Sequence, residues 1–134
     1  MPRSLVFALA LVAAVLLAPP AGAEETAPAP DPVSLYPENY RVLLENDRVR
    51  VIDFRLAKGA REVAHHHPMH VVYVITGFRI RFSLPDGETA LRETRDGQVL
   101  FSEATTHASE NIGTTDAHGI LVELKGAPPV VGER

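Results

Sequence analysis

From Tyr40 onward, apolar residues come in short runs or alternate with polar ones, and no long stretch keeps the 3.6-residue period of an amphipathic helix. Tyr40 to Leu44 reads as a strand ended by Asn46-Asp47. In Val49 to Leu56, Val49, Val51, Asp53 and Arg55 share one face, while Arg50, Ile52, Phe54 and Leu56 share the other. After a turn at Lys58-Gly59, Val71 to Thr76 is apolar on both faces and predicts a central, covered strand ended by Gly77. Phe78, Ile80, Phe82 and Leu84 alternate with Arg79, Arg81 and Ser83, as in a half-buried antiparallel strand. Pro85-Asp86-Gly87 turns the chain, because Pro fixes φ and Gly accepts a left-handed conformation. Thr89, Leu91 and Glu93 return, Asp96-Gly97 turns again, Val99 to Phe101 extends, and Gly119 to Leu124 closes the set. Short strands at this spacing with almost no helix predict an all-β domain, an antiparallel sandwich or barrel.

The N-terminus breaks this pattern. Leu5 to Ala18 is uninterrupted apolar sequence, preceded by Arg3 and followed by Pro19-Pro20 and Ala21-Gly22-Ala23. It is shorter than the roughly 20 residues of a spanning helix, and its flanks are those of a secretory signal peptide. The expectation is a signal peptide over residues 1–23 with cleavage after Ala23, export to the periplasm or medium, and no stable membrane insertion of the mature chain. Residues 24–32 are rich in Pro, Ala and acids and predict a flexible leader. Residues 33–134 then form one domain.

Composition narrows the chemistry. With 13 Lys+Arg against 17 Asp+Glu and a net charge of -4, the chain has no basic excess for nucleic acid. It has no Cys, which excludes disulfides, thiolate metal sites and thiol catalysis. Of its six His, four are His65, His66, His67 and His70. On a strand His65 and His67 point one way and His66 the other. A bend at Pro68 lets His70 return toward the first two. Converging neutral imidazoles ligate Zn, Mn, Fe, Ni or Cu. An exposed His tract with loose metal affinity is the other reading, and spacing alone leaves both open.

A second segment adds to the first. Gly97 to Asn111 carries His107 at the start of a further strand candidate. With Gly59 and Gly77 bracketing the histidines, the chain resembles the cupin family, whose first motif is G(X)5HXH(X)3-4E(X)6G and whose second is G(X)5PXG(X)2H(X)3N. Gly59, His65-His66-His67 and Gly77 match the first, with His70, two residues rather than three or four beyond His67 but six before Gly77, at the glutamate position. Gly97, His107 and Asn111 match the second, with one residue fewer before the His and Glu103-Ala104-Thr105 replacing the Pro-x-Gly turn. The chain looks most like small single-domain cupins with H-x-H-P-x-H-V-V-Y-V and T-H-x-x-E-N-I-G, some of which carry the name beta-alanine degradation protein.

The resemblance implies a double-stranded β-helix, or jelly-roll barrel, with possible homodimers. It also implies one divalent transition metal held by His65, His67, His70 and His107. No acidic ligand is then present, so Glu110, substrate or hydroxide would have to supply a countercharge. An exported metalloenzyme acting on a small organic molecule follows, dioxygenase-like first and isomerase or lyase second, the alternative being a non-catalytic metal- or small-ligand-binding cupin. Glu110 is a candidate carboxylate behind the ligands or general base. Tyr73 reads as core or as a hydroxyl aimed at substrate or a ligand. Arg79 and Arg81 read as solvated charge or, in a barrel interior, as anchors for an anionic substrate. His66 and His118 are expected at the surface, and Asn111 as a tie between strand ends.

Overall fold

The computed structural model describes residues 29–126. The predicted signal peptide, the first part of the leader (24–28) and residues 127–134 lie outside the described residues. One short helix, α1 (Pro32–Leu35), precedes nine strands: β1 (Tyr40–Glu45), β2 (Val49–Leu56), β3 (Arg61–His67), β4 (His70–Thr76), β5 (Arg79–Ser83), β6 (Thr89–Glu93), β7 (Val99–Ser102), β8 (Thr105–Asn111) and β9 (Ala117–Leu124). Among the described residues no helix is long and apolar enough to cross a membrane.

The strands form two antiparallel sheets, one ordered β1-β2-β9-β4-β7 and the other β3-β8-β5-β6. Neighbours in each sheet are mostly distant in sequence, the double wrapping of a jelly roll. Each strand turns alternate residues inward. Ile52, Phe54 and Leu56 of β2, Val72 and Val74 of β4, Ile80 of β5 and Leu121 of β9 fill the space between the sheets. Fully burying one such aliphatic side chain contributes about 1.5–3 kcal/mol, and Ile52, Leu56 and Val74 are completely covered.

Two glycines explain why the spacing of the chain permits this. Gly59 adopts φ +79° in the turn before β3, a left-handed conformation costly for other residues. At Gly77 an added Cβ would lie 2.7 Å from the Thr94 carbonyl oxygen, so the turn after β4 packs against the segment that follows β6 only with glycine.

Three expectations need revision. Val71 to Thr76 is not covered on both faces: Val72 and Val74 are buried, whereas Tyr73 and Ile75 point outward and are exposed. The sheet's outer side has no covering layer among the described residues, so an apolar run here does not mean two-sided burial. The leader is also shorter than its composition suggests. The His66 N–H donates to the Pro30 carbonyl at 3.0 Å, Asp31 caps α1, and Pro32 is buried. Finally, His118 is not a fully exposed surface residue: it lies on β9, half-buried on its outer face with Nε2 3.4 Å from Asp53 Oδ2.

Candidate metal centre

β3, β4 and β8 bring the site together. His65 and His67 occupy inward positions of β3, and His107 of β8 lies directly across from His65 in the strand pairing. His70 opens β4, two residues after Pro68 ends β3. Ring centroids are separated by 5.0 Å for His65–His67, 4.9 Å for His65–His107, 5.4 Å for His67–His107 and 5.2 Å for His67–His70. One ring nitrogen each from His65, His67 and His107 falls within 4.8 Å of the others, so these three can hold a metal ion. His66 points out to solvent and contacts Thr106 Oγ1 at 3.0 Å.

The outer nitrogen of three rings is already committed. His65 Nδ1 meets the Val63 carbonyl at 2.8 Å, His70 Nδ1 the Pro68 carbonyl at 2.7 Å, and His67 Nδ1 the Glu123 carboxylate at 3.0 Å. These oxygens accept, so each Nδ1 donates and each Nε2 keeps a bare lone pair. Local sequence explains two of the bonds, because each carbonyl belongs to the residue two before its histidine. His65 Nε2 is buried with no hydrogen-bond partner. An orphaned buried acceptor is costly unless something binds it, and a metal ion answers that need.

Electrostatics agrees with ligation. Burial is the leading cause that holds His65, His70 and His107 below the usual imidazole range, and His107 is pushed down to about 3. These rings are therefore neutral near pH 7, as metal ligation requires. Two buried carboxylates flank the histidines, Glu62 on the Nε2 side of His65 and Glu123 at Nδ1 of His67. Glu62 Oε2 accepts from Tyr40 Oη at 2.7 Å and Ser109 Oγ at 3.0 Å, Oε1 accepts from Asn39 Nδ2 at 2.8 Å, and Oε2 lies 3.9 Å from His65 Nε2. Glu123, nearly inaccessible, pairs with both His67 and Arg50.

His67, His70 and His107 border a cavity of about 470 Å³. Its walls are largely apolar, with Phe78, Phe82 and Leu100 among them, and Arg92 and Glu103 lie at its edge. Arg92 pairs with the inward-facing Ile80 across β5 and β6 and makes no hydrogen bond or ion pair to another side chain among the described residues.

Four candidates from the sequence are not brought to this cavity. Tyr73 is half exposed on the outer sheet face. Arg79 and Arg81 alternate with buried Ile80 and therefore point outward, Arg79 near Glu93 at 3.9 Å and Arg81 beside Glu110 at 3.2 Å. Glu110 lies three residues after His107, on the opposite face of β8, and accepts from Arg61 as well. Asn111 does tie strand ends: Nδ2 donates to the Leu56 and Thr115 carbonyls, both at 2.9 Å, and Oδ1 accepts from Gly113 N–H at 3.0 Å.

Sequence reasoning missed Glu62, Glu123, Arg50 and Arg92. Arg50 and Glu123 carried a signal, since each shares a strand face with buried apolar residues. Glu62 carried none, because a register shift between Glu62 and His65 turns both inward across an odd spacing.

No family model matches the chain, and no curated protein matches it. Solved structures do. A cupin domain from Bordetella pertussis Tohama I is 25% identical, with 65% of this chain and 92% of that one covered at a TM-score of 0.58. A cupin superfamily protein from Desulfitobacterium hafniense DCB-2 is 17% identical, covering 65% and 76% at 0.50. An RmlC-like cupin family protein with a double-stranded β-helix fold, from Methanocaldococcus jannaschii, is 17% identical, covering 64% and 78% at 0.50. The fold is thus the cupin double-stranded β-helix, with a three-histidine cluster in its interior able to hold a metal.

Proposed function

We propose that this cupin-fold protein binds one divalent transition metal through His65, His67, His70 and His107 and acts on a small organic acid. The single observation that carries the reading is the buried, unpartnered Nε2 of His65 among rings whose other nitrogens are committed elsewhere. Four imidazoles suit Fe, Mn, Zn, Ni or Cu. When bound, such a metal supplies Lewis-acid polarisation and open coordination positions for substrate or dioxygen. Dioxygenase-like chemistry is the first choice, isomerase or lyase chemistry the second.

The chain's own residues have separable tasks. The Val63 and Pro68 carbonyls and Glu123 hold protons on the outer ring nitrogens of His65, His70 and His67. Phe78, Phe82 and Leu100 exclude water from the apolar part of the substrate. Arg92 supports an acid as ligand, because its guanidinium is free to take a carboxylate in two parallel hydrogen bonds. Resemblance to cupins named beta-alanine degradation protein places beta-alanine among the acids worth testing. Export to the periplasm or medium and homodimer formation belong to the same reading.

A binding protein without turnover is the second reading, favoured by one observation. Glu62 and Glu123 are engaged by hydrogen bonds beside the histidines, while Tyr73 and Glu110 face away, so apart from Glu103 at the edge few groups are left to move a proton in the cavity.

Elemental analysis of natively purified protein tests the metal; we expect close to one equivalent per chain after reconstitution. A cobalt-loaded sample titrated with acetate, beta-alanine and oxalate then tests the ligand. A change in the cobalt spectrum supports an open position facing the cavity. No metal uptake, or no response to any acid, contradicts the respective half of the reading.

A further inference from the structure

We propose that Glu123, gripped by Arg50 and Asp31, is the positioning residue that sets the ring of His67 for metal binding, and that the three together add anionic charge to a site of four neutral histidines. The inference rests on the metal reading above and extends it to residues that no cupin motif quoted above contains.

The observations form an unbroken chain. Glu123 Oε1 accepts from His67 Nδ1 at 3.0 Å. Its other oxygen accepts from Arg50 Nε at 2.7 Å and from Nη2 at 2.6 Å. Arg50 then donates from Nη1 and Nη2 to Asp31 at 2.7 and 2.8 Å. Side-chain exposure rises along it, from 2% at Glu123 through 15% at Arg50 to 38% at Asp31. The chain thus runs from the protein surface to the histidine cluster.

Charge counting gives each member a role. The buried Glu123 beside the part-buried Arg50 forms a neutral pair, which by itself adds no net charge to the site. Asp31 restores one net negative charge to the group of three. The Arg50 guanidinium beside Asp31 is the largest cause that holds its carboxyl below the usual range, so this charge persists near pH 7. Fixing a ligand histidine through a carboxylate on its far nitrogen raises the basicity of the metal-facing nitrogen. Glu62 is not equivalent: it lies nearest Nε2 of His65, while the Val63 carbonyl holds that ring's Nδ1 proton.

Long-range proton–nitrogen NMR on metal-free, histidine-labelled protein reads the ring tautomer without any metal or activity. His67 is expected as the Nδ1–H tautomer. In Glu123→Gln the amide can donate to Nδ1, and a mixed or Nε2–H tautomer is expected. Zinc affinity, measured by competition with a chromophoric chelator, should fall about 10- to 100-fold. Asp31→Asn, at the surface end, should keep the tautomer and lose several-fold in zinc affinity. If Glu123→Gln does not fold, the wild-type tautomer and Asp31→Asn decide. Zinc binding by wild type with His67 in the Nε2–H form overturns this inference alone, as does unchanged zinc affinity in both variants. A wild-type protein that takes up no zinc overturns the metal reading and the charge claim with it.

Discussion

The inner and outer faces of the sheet formed by β3, β8 and β5 both carry ionisable residues, and the two faces behave oppositely. Outside, Arg61 and Arg81 bracket Glu110 at 2.7 and 3.2 Å in contact with solvent. Inside, His65, His67 and His107 crowd together without a positive charge among the first and last, because burial holds those rings neutral. Exposed ion pairs contribute little, since water screens them and ordering the side chains costs entropy. The inner cluster instead costs stability: it buries an acceptor with no partner. Polar residues that fold stability does not explain are where a ligand belongs.

The sharpest way to break this contrast is His67→Ala, which should abolish stoichiometric metal binding, as measured by elemental analysis after reconstitution. In the wild type, saturating metal should raise the melting temperature, with about 2.7 kcal/mol gained at 100 times the dissociation constant. His67→Ala should lose that gain.

Acid should separate the faces next. Below pH ~6.5 the unfolded chain takes up protons on its histidines, whereas folded His65 and His70 resist and His107 does so down to about 3. The unfolded state then binds more protons, so stability of the metal-free protein is present above this window and falls as pH drops through it. Each such histidine contributes up to about 1.4 kcal/mol per pH unit. Denaturant titrations at pH 7 and pH 5 check the sign; equal stability at both would count against a neutral buried cluster.

A smaller effect is expected at the cavity edge. Arg92→Gln should weaken carboxylate binding by roughly 1.5–3 kcal/mol, the range for hydrogen bonds to a charged group, with metal content unchanged. Smallest of all, Glu110→Gln on the outer face should leave metal binding and cavity ligands untouched and scarcely move the melting temperature. A loss of metal binding in that variant would erase the distinction between the faces.

Much of this contrast was legible in the chain. Alternation in Val49 to Leu56 places Ile52, Phe54 and Leu56 inside, as found. The i, i+2 spacing of His65 and His67 puts both on one face, and the return of His70 after Pro68 also holds. Parity alone shows that Arg79 and Arg81 oppose Ile80, and that Glu110 opposes His107; of the two readings of the arginines, solvated charge follows the pattern and the interior anchor runs against it, as does a catalytic role for Glu110. Tyr73 was misplaced for another reason, because an apolar run does not reveal whether a second layer covers the sheet. Glu62 could not be found, since the irregularity in β3 that turns it inward leaves no compositional trace. Glu123 and Arg50 stood in plain view as charges at core positions, but pairing residues 73 apart requires the fold.

X-ray absorption at the zinc edge of the reconstituted protein tests the central claim most directly, because scattering from imidazole rings is distinguishable from that of single-atom oxygen ligands. The account predicts four imidazoles around one zinc per chain in the wild type, and fewer in His70→Ala. A shell of oxygen ligands with no imidazole scattering would contradict it.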